Sequence, residues 1–220
     1  MKWSSVSGAL ALAAMTCLLP AGAEAASVIT WNMGETSGST MYNSTRTHNG
    51  AITGDVTKGV TGHKGLAYKF TGDPAVVTIR SASVLNPGSG SFSVSLYFKS
   101  STKPTSAVGD YDLVRKGVST TSGGDWKMEV LGNGRAFCHF RGSRTVDVTG
   151  TTNVVNGSWN KITCSKSTSG VRVKVNGSIQ ASRSANPGAV SNTSSVYVGA
   201  KTSAEDVTTG SLDSLTVTKG

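Results

Sequence analysis

Two cysteines within runs of alternating apolar and polar residues constrain the fold of this chain more than any other sequence feature. Residues 126–164 contain two strand-like runs joined by a Gly-Asn-Gly turn, then a short polar interval, and a third run that opens at Trp159. The side chains of a β-strand alternate between its two faces. By this rule Cys138 lies on the apolar face of the second run, and Cys164 lies on the apolar face of the third. The pattern therefore predicts a Cys138–Cys164 disulfide inside a core.

The N-terminal segment predicts export of the protein. Residues 1–25 combine a basic start, an apolar run and an Ala-Glu-Ala cleavage signal, which is typical of a secretory signal peptide. The apolar run is too short to span a membrane. A lipoprotein anchor at Cys17 is the competing interpretation. We expect residues 26–220 to be one secreted, extracellular domain whose two cysteines are oxidised, because two thiols without suitably placed histidines cannot form a four-ligand zinc site.

Short alternating runs separated by turn residues predict an all-β fold. The chain contains 27 glycines, and no long segment carries apolar residues at the helical period. Leu66–Phe70 and Ala75–Arg80 are predicted to be separate strands, because a Thr-Gly-Asp-Pro turn signal divides them. Residues 43–65 are predicted to form loops with short edge strands. More than ten such strands and no internal repeat favour a two-sheet antiparallel jelly-roll β-sandwich.

Six motifs follow one another along the chain: WNMGETSGSTM, DYDLVRKG, WKMEVLGNGRAFCHF, SWNKITCSK, SGVRVKVNGS and GSLDSLTV. Taken in this order, they resemble a secreted bacterial laminin-G-like domain of the concanavalin A-like lectin/glucanase superfamily. The resemblance implies a curved sandwich with ligands on its concave face or in rim loops. It also implies a structural calcium ion, for which Glu35 and Asp213 occupy the matching positions. The fold hosts lectins, adhesion modules and glycan-cleaving enzymes, so it does not fix the function.

The acidic residues give little indication of glycan hydrolysis. That reaction needs two carboxyl groups about 5–9.5 Å apart, and the Glu-x-Asp-x-x-Glu strand of the glucanase relatives is absent from this sequence. Asp125 and Glu129 share a strand face but are about 13 Å apart along it. Asp110 and Asp112 are about 6.6 Å apart, at a strand entrance where Asp commonly serves turns. A carbohydrate-active enzyme is therefore the second choice.

The charged side chains on the faces opposite the core predict a binding surface. The chain has a net charge of +9, and its central strands, if they are neighbours in one sheet, form a basic field around an exposed aromatic ring. Arginine binds carboxylate and sulfate through paired hydrogen bonds. The alternative is an ordinary solvated sheet face. The predicted ligand-binding residues, which share the field with Glu129, are Lys127, Arg135, Phe137, His139, Arg141, Lys161, Arg172 and Lys174.

The function predicted from the sequence is non-catalytic recognition of a polysaccharide or cell-surface glycan. An anionic or cell-wall glycan is the favoured ligand, and nucleic acid is a disfavoured partner. A protein-adhesion or surface-structural module is a further alternative, which requires an exposed apolar patch of several hundred Å².

Overall fold

The computed structural model describes residue 1, residues 26–201 and residues 205–220, which form fourteen β-strands and one short 3₁₀ helix, Ser83–Leu85. The predicted signal peptide lies, beyond Met1, outside the described residues. The strands are Ser27–Trp31 (β1), Thr40–Met41 (β2), Gly50–Thr61 (β3), Leu66–Ile79 (β4), Phe92–Lys99 (β5), Asp110–Lys116 (β6), Asp125–Leu131 (β7), Arg135–Arg141 (β8), Thr145–Asn153 (β9), Asn160–Ser167 (β10), Gly170–Val175 (β11), Ser178–Arg183 (β12), Val196–Val198 (β13) and Thr209–Lys219 (β14).

The strands form an antiparallel sheet, which confirms the all-β prediction. Its main hydrogen-bonded path runs β12-β11-β10-β5-β14-β4-β13-β6-β7-β8-β9, with β1 beside β14 and β2 and β3 continuing from β4. The path is continuous because β4 pairs with β14 through residues 68–71 and with β13 through residues 77–79. The hydrogen bonds therefore give one curved, barrel-like sheet, and the division into two jelly-roll sheets stays a prediction. Within the described chain, no helix is long and apolar enough to cross a membrane.

Strand β4 continues through the turn signal that was predicted to divide it. Gly72, Asp73 and Pro74 have no ladder partner in β3 or β14, and the β3 register shifts at the same point, between Gly54 and Val56. A bulge of this kind tolerates a proline, because a residue in the bulge does not have to donate a ladder hydrogen bond and proline has no N–H to donate. The turn residues therefore mark the place where β4 changes partners rather than the end of a strand.

Strand β3 is a second departure from the sequence prediction. Most of residues 43–65 were expected to form loops, but Gly50–Thr61 form a strand of 12 residues. Only Gly50 and Val56 of this strand are buried. A strand at the margin of a sheet needs few apolar residues, so its sequence lacks the alternation that identifies a half-buried strand.

Strand β9 was also missed, and it closes the barrel-like sheet. Residues 145–153 read as a short polar interval, yet Val146 and Val148 alternate into the core. The far edge of β9 lies against β11 and β12. Gln180 on β12 bridges the two edges, because its Oε1 accepts hydrogen bonds from the hydroxyls of Thr151 and Thr152 at 2.7 and 2.6 Å.

The core lies between the two halves of this sheet and is crossed by the predicted disulfide. Cys138 on β8 and Cys164 on β10 are joined, with their Cα atoms 5.5 Å apart, and both are fully buried. The disulfide prediction is confirmed. Trp31 and Trp126 are also fully buried, and each indole N–H donates to a backbone carbonyl, at 2.7 and 3.1 Å. A buried tryptophan usually finds such a partner.

Candidate functional site

The predicted ligand-binding residues lie on two separate surfaces. Lys127 is on β7, and Arg135, Phe137, His139 and Arg141 are on β8. Lys161 is on β10, and Arg172 and Lys174 are on β11. The two pairs of strands lie far apart along the sheet path, and the disulfide spans the core between them. The strands are therefore not neighbours, and the expected single field is divided into two.

The outer face of β7 and β8 holds a pocket of about 300 Å³. The aromatic side chain in its wall is Phe137, which is half-buried. The Nζ of Lys127 lies 5.7 Å from the centre of the Phe137 ring, and the ring of His139 is 6.5 Å away. A loop brings Lys201 and Asp206 to the same pocket. We call this site the Phe137 pocket.

His139 is fixed in the pocket by two carboxylates. Its Nδ1 lies 2.7 Å from the Oδ1 of Asp147, and its Nε2 lies 3.1 Å from the Oδ2 of Asp125. The side chain is 13% exposed. The imidazole is therefore a rigid part of the wall rather than a freely solvated side chain.

Arg141 is turned toward the protein. Its Nε donates to the Oδ1 of Asp125, and its Nη2 donates to the carbonyl oxygens of Val118 and Thr121, each at 3.0 Å. Burial alone would raise the pKa of Asp125, but the hydrogen bonds and charges of His139 and Arg141 outweigh burial and hold that pKa below its usual value. Arg141 thus ties the β6–β7 loop to β8, with its Nε and Nη2 donors directed into the protein.

Acidic groups gather around Asp206, which lines the pocket. Carboxylate oxygens of Asp110, Asp112 and Asp206 lie within 4.8 Å of one another. Burial raises the pKa of Asp110 to about 6, and the charges of Asp112 and Asp206 add to that effect. Burial also raises the pKa of Asp112, although the Arg115 guanidinium beside it opposes the shift. Asp206 was not identified from the sequence, because only the fold brings its loop to β6.

These groups make the pocket a mixed-charge surface rather than a basic one. We call the set the charge cluster, and ion pairs hold most of it: Arg115 with Asp112, Lys127 with Glu129, Arg141 and His139 with Asp125, and Lys201 with Glu205 and Asp206. Asp112 is completely buried, so its carboxyl group cannot contact a substrate. The members of the cluster are Asp110, Asp112, Arg115, Asp125, Lys127, Glu129, His139, Arg141, Asp147, Lys201, Glu205 and Asp206.

The two residues expected to hold calcium carry out other roles. Both oxygens of Glu35 accept hydrogen bonds, one from the backbone N–H of Tyr42 at 2.8 Å and the other from the Tyr68 hydroxyl. Asp213 accepts from the N–H groups of His63 and Lys64 and from a serine hydroxyl. Calcium prefers carboxylate oxygens that are free to coordinate it, and all four oxygens here face donors. This donor set does not fit the ion, so calcium stays a prediction without support from the geometry.

Comparison with known proteins identifies the family of the fold. A laminin G-type family model, described as the concanavalin A-like lectin/glucanases superfamily, matches residues 70–220. No curated protein matches the chain.

Solved structures with the same fold are distant in sequence. The binding domain of Paraclostridial Mosquitocidal Protein 1 has a TM-score of 0.68 at 14% identity, and the match covers 86% of this chain and 48% of that one. Domain 4 of an extracellular arabinanase from Geobacillus stearothermophilus, in complex with arabinotriose, has a TM-score of 0.67 at 19% identity, covering 90% and 94%.

A third structure is that of botulinum neurotoxin type C, whose cell uptake depends on two ganglioside molecules. It has a TM-score of 0.58 at 11% identity, and the match covers 86% of this chain and 45% of that one. The present chain thus spans about half the length of the toxin structures and nearly all of the arabinanase domain.

Proposed function

Because this chain belongs to the concanavalin A-like lectin/glucanases superfamily, in its laminin G-type branch, we propose that it is a secreted, non-catalytic module that binds a polysaccharide or cell-surface glycan. The sugar occupies the Phe137 pocket. We further propose that the barrel-like sheet is the two-sheet jelly-roll expected from the sequence, with β4 passing from one sheet to the other.

The observation that carries this proposal is the half-buried Phe137 ring, which lies in a pocket of fixed polar groups. A sugar presents both apolar C–H faces and hydroxyl groups. The ring offers a flat apolar surface of the kind that packs against the C–H face of a sugar. Asp147 and Lys127 offer acceptors and donors for the sugar hydroxyls, and the ion pairs that they form with His139 and Glu129 hold them in place before a ligand arrives. Preorganisation of this kind reduces the entropy cost of binding.

The relatives support binding as the role of this fold. The arabinanase domain, of nearly the same length, is in complex with arabinotriose, and the neurotoxin depends on gangliosides. Among the described residues outside the N-terminal methionine, the large apolar side chains that are well exposed are Val28, Tyr42 and Ile179. These lie on β1, a loop and β12 and do not form the apolar patch that the adhesion alternative requires.

A glycan array followed by calorimetry tests the proposal. Residues 26–220 are screened first, and the best oligosaccharide is titrated into wild type and Phe137→Ala. We expect the variant to bind at least tenfold more weakly. The matched control is Tyr42→Ala, which removes an exposed aromatic ring distant in the chain from the pocket and should bind as wild type does. Equal binding by Phe137→Ala and wild type, or no ligand on the array, would overturn the proposal.

The same preparation distinguishes the enzyme alternative. Wild type is incubated with each polysaccharide it binds, and new reducing ends are measured over a day. We expect none above a blank without protein. If wild type produces reducing ends and the Asp110→Asn and Asp206→Asn variants do not, the result would instead favour an enzyme that uses the carboxylates of the charge cluster.

A further inference from the structure

The positive charge of this protein is segregated from the Phe137 pocket. The chain has 21 Lys and Arg and 12 Asp and Glu residues. The charge cluster takes seven of the acidic residues and only four Lys and Arg, so its formal net charge is −3 when every carboxyl group is counted as ionised and His139 as neutral. Lys2 and Glu24 lie outside the described residues. The rest of the described chain therefore carries sixteen basic residues and four acidic ones.

The outer face of β5, β10, β11 and β14 collects part of this excess charge in a regular array. Paired residues of adjacent strands place a cation at one end of each row and hydroxyl groups along the remainder. Neighbouring strands are about 4.8 Å apart, so each row extends about 14 Å across the sheet. One row is Lys174, Thr163, Ser95 and Thr216, and the next is Arg172, Ser165, Ser93 and Thr218. We call this surface the hydroxyl face.

The cations of the hydroxyl face are available to a ligand. Arg172 and Lys161 are exposed and Lys174 is half-buried. None of the three forms a salt bridge with another described residue, whereas the charge cluster is held by ion pairs. The one carboxylate in the registered rows of this face, Asp213, is completely buried and bonded to backbone N–H groups. Among the described residues, these rows therefore contain no other Asp or Glu side chain that could compete with a bound anion.

Each end of the hydroxyl face has a distinct feature. At one end the ring of Tyr97 stacks on that of His63, with centroids 3.8 Å apart, and the Nζ of Lys161 lies 5.6 Å from the centre of the Tyr97 ring. At the other end, about 13 Å further along β5, a cavity of about 280 Å³ is lined by Ser93, Ser165 and Arg172 among others. An extended ligand that follows β5 would contact both ends.

From this arrangement we propose that the hydroxyl face is a second binding surface, and that its ligand is a polysaccharide bearing carboxylate or sulfate groups. The guanidinium of Arg172 pairs with an anionic group by two parallel hydrogen bonds, and the lysines contribute point charges. The serine and threonine hydroxyls both donate and accept, which suits the hydroxyls of the sugar chain. This surface does not depend on the Phe137 pocket, and the anionic ligand expected from the sequence binds here instead.

The test uses polygalacturonate as a carboxylated probe, dextran sulfate as a sulfated probe and dextran as the uncharged reference. Affinities of residues 26–220 are measured at 50 and 200 mM NaCl. The variant combines Lys161→Ala, Arg172→Ala and Lys174→Ala. The matched control removes three exposed cations outside this face by combining Arg46→Ala, Lys103→Ala and Arg144→Ala, so that net charge changes equally.

We expect wild type to bind at least one charged probe, more weakly at the higher salt concentration because screening reduces ionic attraction. The hydroxyl-face variant should lose at least tenfold in affinity, and the control should stay within twofold of wild type. Phe137→Ala should bind the charged probe normally, which separates this proposal from the pocket. Equal losses in both triple variants, or binding of duplex DNA but of neither charged polysaccharide, would overturn it.

Discussion

Glu129 lies directly opposite Asp112 in the register of β6 and β7, and both side chains are almost completely buried, at 2% and 0% exposure. Two carboxyl groups in this position disfavour simultaneous ionisation. Burial, reinforced by the charge of Asp112 and opposed by Lys127, raises the pKa of Glu129 to about 8. The charge cluster therefore contains a carboxyl group whose proton is held more tightly in the folded protein than in the unfolded chain.

The first prediction concerns the pH dependence of stability. Since the folded pKa of Glu129 is raised above the unfolded value of 4.5, the native state binds more protons between about pH 4.5 and 8. The free energy of unfolding should fall as pH rises through that window. The free energy of unfolding, measured with urea at pH 5 and at pH 8, should fall less in Glu129→Gln than in wild type. The difference should be on the order of 2–4 kcal/mol.

Asp55→Asn, a change at an exposed position, is the control and should follow wild type. The lowered pKa of Asp125 affects stability only below about pH 4, since that contribution is lost as pH falls through the folded pKa, so it does not disturb the comparison. Parallel profiles for wild type and Glu129→Gln would contradict the assignment.

Strand parity was enough to predict the core and the disulfide, because a period of two assigns each side chain to a face whatever the sheet order is. It placed Cys138 and Cys164 correctly without information on which strands are neighbours. Predicting the binding field required knowing which strands are neighbours. The field is divided because β9, which was interpreted as a polar interval, lies between β8 and β10 along the chain.

The charge cluster could not be predicted for a related reason. Asp110 and Asp112 were noted as a pair in the sequence, but the loop that carries Asp206 reaches them only through the tertiary fold. The pairing of Arg141 and His139 with Asp125 is in principle visible in the β7–β8 register, because Asp125 lies opposite Arg141 across the Gly-Asn-Gly turn. Counting residues outward from that turn on both strands pairs Asp125 with Arg141 and so predicts this ion pair.

The second prediction concerns the disulfide. It closes a loop of 26 residues, and loop-closure entropy gives it roughly 3.5 kcal/mol of stabilisation. Cys138→Ala combined with Cys164→Ala should lower the free energy of unfolding by about that amount. Dithiothreitol should destabilise wild type to a similar extent and leave the double variant unchanged. A reductant effect on the double variant would show that the loss has another origin.

The third prediction concerns calcium. Because Glu35 and Asp213 already accept hydrogen bonds from protein donors, we expect the melting temperature to be the same in 2 mM calcium chloride and in excess EDTA. The opposite result would be a rise of several degrees in calcium that Glu35→Gln and Asp213→Asn each abolish. That outcome would support the structural calcium ion that the sequence resemblance implies.

The fourth prediction separates the two arginines of β8, which the sequence treated as equivalent ligand-binding groups. Arg141→Ala leaves the 2%-exposed carboxylate of Asp125 with only His139 as its charged partner and releases the carbonyl oxygens of Val118 and Thr121. Breaking a buried ion pair by removing one partner costs about 3–5 kcal/mol. Since Arg141 is 23% exposed, we expect the lower part of that range.

Arg135→Ala is the matched control, because Arg135 is exposed on the same strand and forms no salt bridge among the described residues. Its stability should stay within about 0.5 kcal/mol of wild type, as for most surface substitutions. Urea unfolding of both variants at pH 7 provides the measurement. Equal stabilities would show that Arg141 is not the tie between the β6–β7 loop and β8, and that its guanidinium is free to bind a ligand after all.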